Sequence, residues 1–158
     1  MENVNAIKLS DLPLYTASLL EGETDLIADL ANASALIFQT IEDINWAGFY
    51  FLKGNELVLG PFQGKPACVR LKMGRGVCAA AVEKDETVVV RDVHEFAGHI
   101  ACDSASNSEI VVPIHKDGKV FAVLDIDSRT VDRFSGISDV VEATAKEIEK
   151  AIAVTKQE

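Results

Sequence analysis

Three cysteines are the residues of this sequence that could take part in metal binding, redox chemistry or nucleophilic catalysis. Cys68, Cys78 and Cys102 are separated by ten and twenty-four residues, and the chain has no C-x-x-C pair. This spacing is not typical of structural zinc sites or of thioredoxin-like redox motifs. Cys102 lies in the stretch "ACDSASNS", whose small polar residues favour an accessible, reactive thiol. Cys78 precedes three alanines, as a buried apolar cysteine would, and Cys68 follows a stretch with Gly64 and Pro66.

Carboxylates form a second chemical group in the sequence. Asp125 and Asp127 stand two apart in "AVLDIDS", and residues two apart in a strand point to the same face. Glu109 opens the preceding strand of the same hairpin, so the three acids converge at one end if the strands pair. Converging acids attract a cation and raise each other's pKa. The alternative is that they are solvated strand ends. Trp46 and Tyr50 also share a strand face, where they are either core residues or the wall of a site.

The elements that must position these groups are two opening helices, two β-hairpins and a closing helix. Apolar residues at three- and four-residue spacing predict helices between Leu9 and Thr40, and again after Ser138. The turn dipeptides Gly54-Asn55 and Asp117-Gly118 each lie between two strand-like runs. Residues 61–76 are predicted to be mostly loop, "GVCAAAVEKDE" a short helix, "TVVV" a buried strand and residues 91–108 a long polar connection. The fold class is α+β, with five or six mainly antiparallel strands, the terminal helices on one face and loops over the other.

Composition limits the classes of protein that this chain can be. A length of 158 residues with 48% hydrophobic residues predicts a single domain over residues 1–158. A formal net charge of −10 disfavours nucleic acid and anionic membranes as partners. The sequence has neither a signal-peptide pattern nor an apolar run of about 18 residues, which predicts a cytoplasmic protein.

Four stretches of the chain resemble a known enzyme family. They are "NWAGFYF", "GPFQGKPACVRLKMGRGVCAAA", "VHEFAGHIACDSASNSEIVVPI" and "AVLDIDS". In these, the sequence resembles the free methionine-(R)-sulfoxide reductases, which are built on a GAF-type domain. The resemblance implies a six-stranded sheet, reduction of free L-methionine (R)-S-oxide, thioredoxin as the reductant and a homodimer. It implies neither a cofactor nor a metal.

The resemblance also assigns roles to the thiols. Cys102 matches the nucleophile, which would expel methionine and be left as a sulfenic acid that a second thiol condenses with. Both Cys68 and Cys78 would take part in this redox chemistry. We favour Cys68 as the first resolving cysteine, because a loop with glycine and proline moves more easily than an alanine-rich helix.

The acids and aromatics acquire substrate-binding roles from the same resemblance. Glu109, Asp125 and Asp127 would bind the α-ammonium of the free amino acid. One acid would stay protonated and donate to the sulfoxide oxygen. Glu109 is favoured for its closeness in sequence to the nucleophile, and Asp125 remains open. Trp46 and Tyr50 would enclose the ε-methyl group of the substrate.

Two other functions compete with this hypothesis. A non-catalytic GAF-type sensor would bind a small ligand, yet it leaves the three thiols unexplained. A zinc-bound structural domain would recruit the histidines His94, His99 and His115 together with the cysteines, and would contain stoichiometric metal.

Overall fold

A computed structural model describes residues 7–98 and 105–156. The main helices are α1 (Leu12–Leu20), α2 (Leu26–Thr40), α3 (Gly76–Lys84) and α4 (Ser138–Ile152). The strands are β1 (Trp46–Lys53), β2 (Glu56–Gly64), β3 (Arg70–Lys72), β4 (Val88–Val90), β5 (Ser108–Lys116) and β6 (Lys119–Ser128). Short 3₁₀ turns at Leu9–Asp11 and Val93–Glu95 complete the described elements.

All six strands form one antiparallel sheet in the order β3-β2-β1-β6-β5-β4. The two long hairpins, β1–β2 and β5–β6, therefore meet through β1 and β6 at the centre of the sheet. The short strands β3 and β4 form its two edges. The predicted α+β class and the antiparallel sheet are confirmed.

Two-residue turns connect the strands of both long hairpins. Gly54 and Asn55 connect β1 to β2, as predicted. Asp117 and Gly118 connect β5 to β6 with φ angles of 55° and 77°. Two consecutive positive φ angles define the type I′ turn, whose twist matches that of a β-hairpin.

Helices α1, α2 and α4 cover one face of the sheet, which we call the helix face. Asp25 caps α2 by accepting the Ala28 N–H at 2.9 Å, and the Lys116 ammonium donates to the Ile152 carbonyl at the end of α4. Between the helices and the sheet lies a continuous apolar core. It includes Leu12, Leu20, Leu30, Ile37, Phe49, Ile110, Leu124, Ile126, Val141 and Ile148.

The opposite face, which we call the pocket face, is covered by α3 and by the connections around it. Its smaller core combines Trp46, Tyr50, Val77, Cys78 and Val111 with neighbouring apolar residues. Helix α3 follows the predicted alanine-rich stretch and ends at Asp85, which adopts a left-handed conformation with φ 49°. Terminal helices on one face and loops over the other are thus observed, with α3 added to the loop face.

Two predictions about strands need correction. Strand β2 continues through Gly64 instead of giving way to a loop at Pro61. The pairing with β1 shifts register between Gly48 and Tyr50, and this irregularity lets a proline enter the strand without breaking a ladder hydrogen bond. The "TVVV" segment forms the edge strand β4, in which Val89 is exposed, and is not a fully buried strand.

Within residues 7–98 and 105–156, no helix combines the length and the apolar character needed to cross a membrane.

Candidate active site

The register of three central strands assembles the acids. Trp46 of β1 lies opposite Asp127 of β6, and Asp127 lies opposite Glu109 of β5. In the next row on the same face, Asp125 stands between Gly48 and Val111. Residues paired across antiparallel strands point to the same side of the sheet. All three acids therefore project from the pocket face, as the sequence predicted.

Glu109 and Asp125 are buried, with 7% and 5% of their surfaces exposed. Glu109 hydrogen-bonds with both Asp125 and Asp127. Burial raises the pKa of Glu109 well above its usual range, and the charge of Asp125 adds to this. Burial also raises the pKa of Asp125, followed by the charge of Asp127. Because a carboxyl–carboxyl hydrogen bond needs a proton, the cluster holds at least one protonated acid in this arrangement.

Cys78 joins this cluster from helix α3. Its thiol donates to Asp125 Oδ2 at 3.6 Å, and the other carboxylate oxygen of Asp125, Oδ1, is buried without a hydrogen-bond partner. Burial and the neighbouring acids raise the pKa of Cys78 well above its usual range, so this thiol is a neutral donor and a weak nucleophile. Ligand atoms of Cys78, Glu109 and Asp125 lie within 4.8 Å of one another, close enough to share a bound cation.

Trp46 and Tyr50 form an aromatic wall beside the acids. Their rings stack with centroids 5.9 Å apart, and Trp46 also stacks on Phe62 at 5.2 Å. Gly48 lies between them on β1, where an added Cβ would collide with Phe62. The absence of a side chain at Gly48 lets Phe62 pack closely against β1.

The thiols differ in state and position. Cys68 is half-buried in the loop between β2 and β3 and is disulfide-bonded, whereas Cys78 is a free, buried thiol. Cys102 lies outside the described residues. The predicted sites thus converge as far as the structure describes them, with Trp46, Tyr50, Cys78 and the three acids all lining one pocket.

Sequence reasoning missed several residues that also line this pocket. Lys65 and Arg75 bring positive charge to it, and Gly76 places the first turn of α3 there. Ser106 completes this part of the lining and accepts a hydrogen bond from the Asn45 amide at 3.0 Å. The pattern Arg75-Gly76 before an alanine-rich helix was the available signal, because anions bind at helix N-termini.

The described histidines do not support a zinc site built from cysteines and histidines. His94 Nδ1 contacts Asp92 at 2.7 Å, and His115 contacts Asp85 and Glu149. Neither residue lines the pocket. His99 lies outside the described residues.

Comparison with known proteins shows the family to which the chain belongs. The sequence model of the GAF domain matches residues 17–152. Over 147 residues the chain is 50% identical to the free methionine-R-sulfoxide reductase of Escherichia coli (strain K12), covering 92% of this chain and 89% of that protein. The chain belongs to the free methionine-R-sulfoxide reductase family of GAF-domain proteins.

Solved structures of free methionine-R-sulfoxide reductases share the whole fold. The reduced form of fRMsr from Staphylococcus aureus superposes with a TM-score of 0.89 at 52% identity, covering 97% of this chain and 100% of that one. The Neisseria meningitidis free methionine-R-sulfoxide reductase, solved in complex with its substrate, gives a TM-score of 0.88 at 41% identity, with coverages of 92% and 89%. These likenesses confirm the family and the six-stranded fold that the sequence resemblance implied.

Proposed function

We propose that this protein reduces free L-methionine (R)-S-oxide to L-methionine. The observation that carries the proposal is the cluster of the buried Glu109 and Asp125 with the half-buried Asp127, beside an aromatic wall in a single pocket. Membership of the free methionine-R-sulfoxide reductase family supports the same substrate and the same reaction.

The charges around the pocket suit a free amino acid. The acids face the α-ammonium, which a methionine sulfoxide inside a peptide lacks. Asp125 Oδ1 has no partner in the part of the chain described and is available to accept from it. Lys65, Arg75 and the N-terminus of α3 offer positive potential to the α-carboxylate. A zwitterion thus finds opposite charges on two sides of one pocket.

The chemistry begins at Cys102. Its thiolate attacks the sulfoxide sulfur while a carboxylic acid protonates the sulfoxide oxygen. The S–O bond of the substrate breaks, its oxygen is transferred as a hydroxyl group to the Cys102 sulfur, and methionine leaves with Cys102 as a sulfenic acid. Burial, and then the charge of Asp125, raises the pKa of Glu109 well above its usual range, which supports it as the proton donor. Asp125, whose pKa is raised for the same reason, is the second candidate.

Recycling follows through a disulfide. The Cys68 thiol attacks the sulfenic acid of Cys102, water leaves and an S–S bond forms. Cys68 is already disulfide-bonded in this structure, which supports it as the resolving cysteine. Cys78 is buried on a helix and is engaged with Asp125, which fits a later or minor role in exchange. The dithiol of thioredoxin then reduces the disulfide.

The remaining parts of the proposal come from the family and the sequence. The whole chain, 1–158, acts as a single GAF-type catalytic domain, without a cofactor, in the cytoplasm. It acts as a homodimer with thioredoxin as its reductant.

A single-turnover assay tests the reaction without depending on thioredoxin. The reduced protein is mixed with resolved R or S epimers of free methionine sulfoxide, and the released methionine is quantified. We expect about one methionine per chain from the R epimer, and far less from the S epimer or from N-acetyl methionine sulfoxide. Cys102→Ser should release none. Stoichiometric methionine from that variant would place the nucleophile elsewhere.

The same assay separates the enzyme from a GAF-type sensor. A sensor would bind methionine sulfoxide, detectable by calorimetry, and would release no methionine from either epimer. That outcome would overturn the proposed activity while leaving the fold and the family unchanged.

A further inference from the structure

Two aromatic side chains hold the loop that carries Cys68. Residues 65–69 connect β2 to β3, and the Trp46 indole N–H donates to the Lys65 carbonyl at 3.1 Å. The Tyr50 hydroxyl donates to the carbonyl of Cys68 itself at 2.9 Å. At the end of the loop the Leu59 N–H donates to the Val69 carbonyl at 2.9 Å. The loop is therefore fixed at its start, at its end and at the cysteine.

The rigidity of these contacts comes from β1 and not from the loop. Trp46 and Tyr50 are only 4% and 3% exposed, and they stack on each other. Both belong to a strand paired on each side with a long neighbour. Lys65 and Pro66, in contrast, are exposed, and Cys68 is half-buried. A rigid strand thus positions an otherwise weakly packed segment.

The Tyr50 hydroxyl is suited to a permanent donor role. Burial, and then the charge of Asp125, raises its pKa above the usual range of a phenol. It therefore keeps its proton over the whole pH range in which the protein would act. A hydroxyl inside a pocket wall needs a partner, and the partner it has is the carbonyl of a redox-active residue.

We propose that Tyr50 is a positioning residue for the Cys68 disulfide, holding the Cys68 backbone in the orientation in which its sulfur reaches the sulfenic acid. This inference rests on the proposed function and adds a step-specific role to a residue otherwise assigned to the substrate wall. The step itself is the loss of water between the Cys68 thiol and the Cys102 sulfenic acid. Tyr50 exchanges no proton in that step.

The hydrogen bond stabilises the disulfide state in which it is seen. Without it, the Cys68 backbone samples more orientations, and fewer of them lead to ring closure. The net strength of a neutral hydrogen bond corresponds to about a three- to tenfold change in an equilibrium constant. A purely structural hydroxyl would stabilise the reduced and the disulfide forms equally and leave their ratio unchanged.

Tyr50→Phe tests the proposal, because it removes the donor and keeps the ring. The chain's only other tyrosine, Tyr15 on α1, is 47% exposed, so Tyr15→Phe is a matched control. Each protein is equilibrated in dithiothreitol redox buffers, and the Cys68 disulfide is quantified by peptide mapping. Its rate of closure is measured after oxidation of the reduced protein with one equivalent of hydrogen peroxide.

For Tyr50→Phe we expect a disulfide less stable by about three- to tenfold, or about 15–30 mV for a two-electron couple, and slower closure. Tyr15→Phe should match the wild type. Equal disulfide stability and closure in Tyr50→Phe and wild type would overturn the proposal. So would a larger loss in single-turnover methionine release than in closure, since the hydroxyl would then act on the substrate. Because the disulfide measurements contain no sulfoxide, they are valid even if the protein fails to reduce methionine sulfoxide.

Discussion

The two faces of the sheet are made by alternate residues of the same strands, yet they differ in kind. On the helix face, β1, β5 and β6 contribute residues such as Phe49, Ile110 and Leu124, all fully buried. On the pocket face, the intervening positions of the same strands carry Glu109 and Asp125. A side-chain period of two therefore separates the groups that stabilise the fold from the acids proposed to act on the substrate.

The two faces contribute to the free energy of folding with opposite signs. Burying an aliphatic or aromatic side chain on the helix face contributes roughly 1.5–3 kcal/mol to folding. Burying carboxyl groups against one another on the pocket face opposes folding, and the raised pKa values of Glu109 and Asp125 record that cost. The helix face therefore stabilises the folded state, and the buried acids of the pocket face destabilise it.

The largest effect should follow from removing a charge of the pocket face. Asp127→Asn should lower capture of methionine sulfoxide by about one to two orders of magnitude, because under the proposed function it deletes a charge-assisted contact to the ammonium. Glu109→Gln and Asp125→Asn, which replace the two candidate proton donors, should also weaken capture. The proton donor should also show slower methionine release at saturating substrate. Steady-state kinetics with the R epimer would test this, with the exposed Glu86→Gln as the control.

Glu109→Gln and Asp125→Asn should gain stability relative to wild type as the pH rises. A carboxyl group whose pKa is raised in the folded state stabilises the protein below its ordinary pKa, and that contribution is lost as the pH rises through the folded value. An amide does not titrate, so the free energy of unfolding of Glu109→Gln relative to wild type should increase from pH 4 upward. Urea unfolding at pH 5 and pH 8 gives the comparison. A constant difference at both pH values would contradict it.

A smaller effect is expected from an acid that is buried on the helix side of the sheet. Asp29 of α2 is 1% exposed, and neither of its carboxylate oxygens has a hydrogen-bond partner among the described residues. Burial, with the charges of Glu23 and Asp25, raises its pKa to about 6. The stability that its protonated form provides is therefore lost between about pH 4 and pH 6.

Asp29→Asn should remove that loss. Relative to wild type, its free energy of unfolding should rise by about 1–3 kcal/mol between pH 4 and pH 8. Denaturant titrations at several pH values measure the difference, and the exposed Asp139→Asn serves as the control. If the free energy of unfolding of Asp29→Asn equals that of the wild type at every pH, the Asp29 carboxyl group of the wild type is solvated in solution.

The sequence predicted the contacts that follow from strand periodicity, and missed those made by the fold as a whole. Asp117-Gly118 specifies a type I′ turn, and this turn together with the register shift between Ile114 and His115 brings Glu109 opposite Asp127. Arg75 reaches the pocket only because α3 packs across the sheet.

The bond from Tyr50 to the Cys68 carbonyl leaves no signal in the sequence at all. Its acceptor is a backbone atom 18 residues away, and any residue type at that position would supply it. The prediction of a loop at Pro61 was wrong for a different reason. Proline usually ends a strand, but here it occupies an irregular part of β2.

The smallest predicted effect concerns His115, which connects the two sides of the sheet. From β5, its Nε2 contacts Asp85 after α3 at 2.6 Å, and its Nδ1 contacts Glu149 of α4 at 3.2 Å. Burial lowers the pKa of His115, but the hydrogen bonds to Asp85 and Glu149 outweigh this and raise it above 6.5. The stabilisation from its charged form is thus complete below pH 6.5 and is lost as the pH rises through the folded value.

His115→Gln should destabilise the protein at pH 6 by less than about 1 kcal/mol, because the contact is partly exposed and screened by salt. The difference from wild type should shrink at pH 9 and in 1 M salt. His94→Gln is the matched control, since His94 pairs only with the near neighbour Asp92 in the same turn among the described contacts. A destabilisation of His115→Gln that is independent of pH would instead assign the contribution of this residue to packing between β5 and α4.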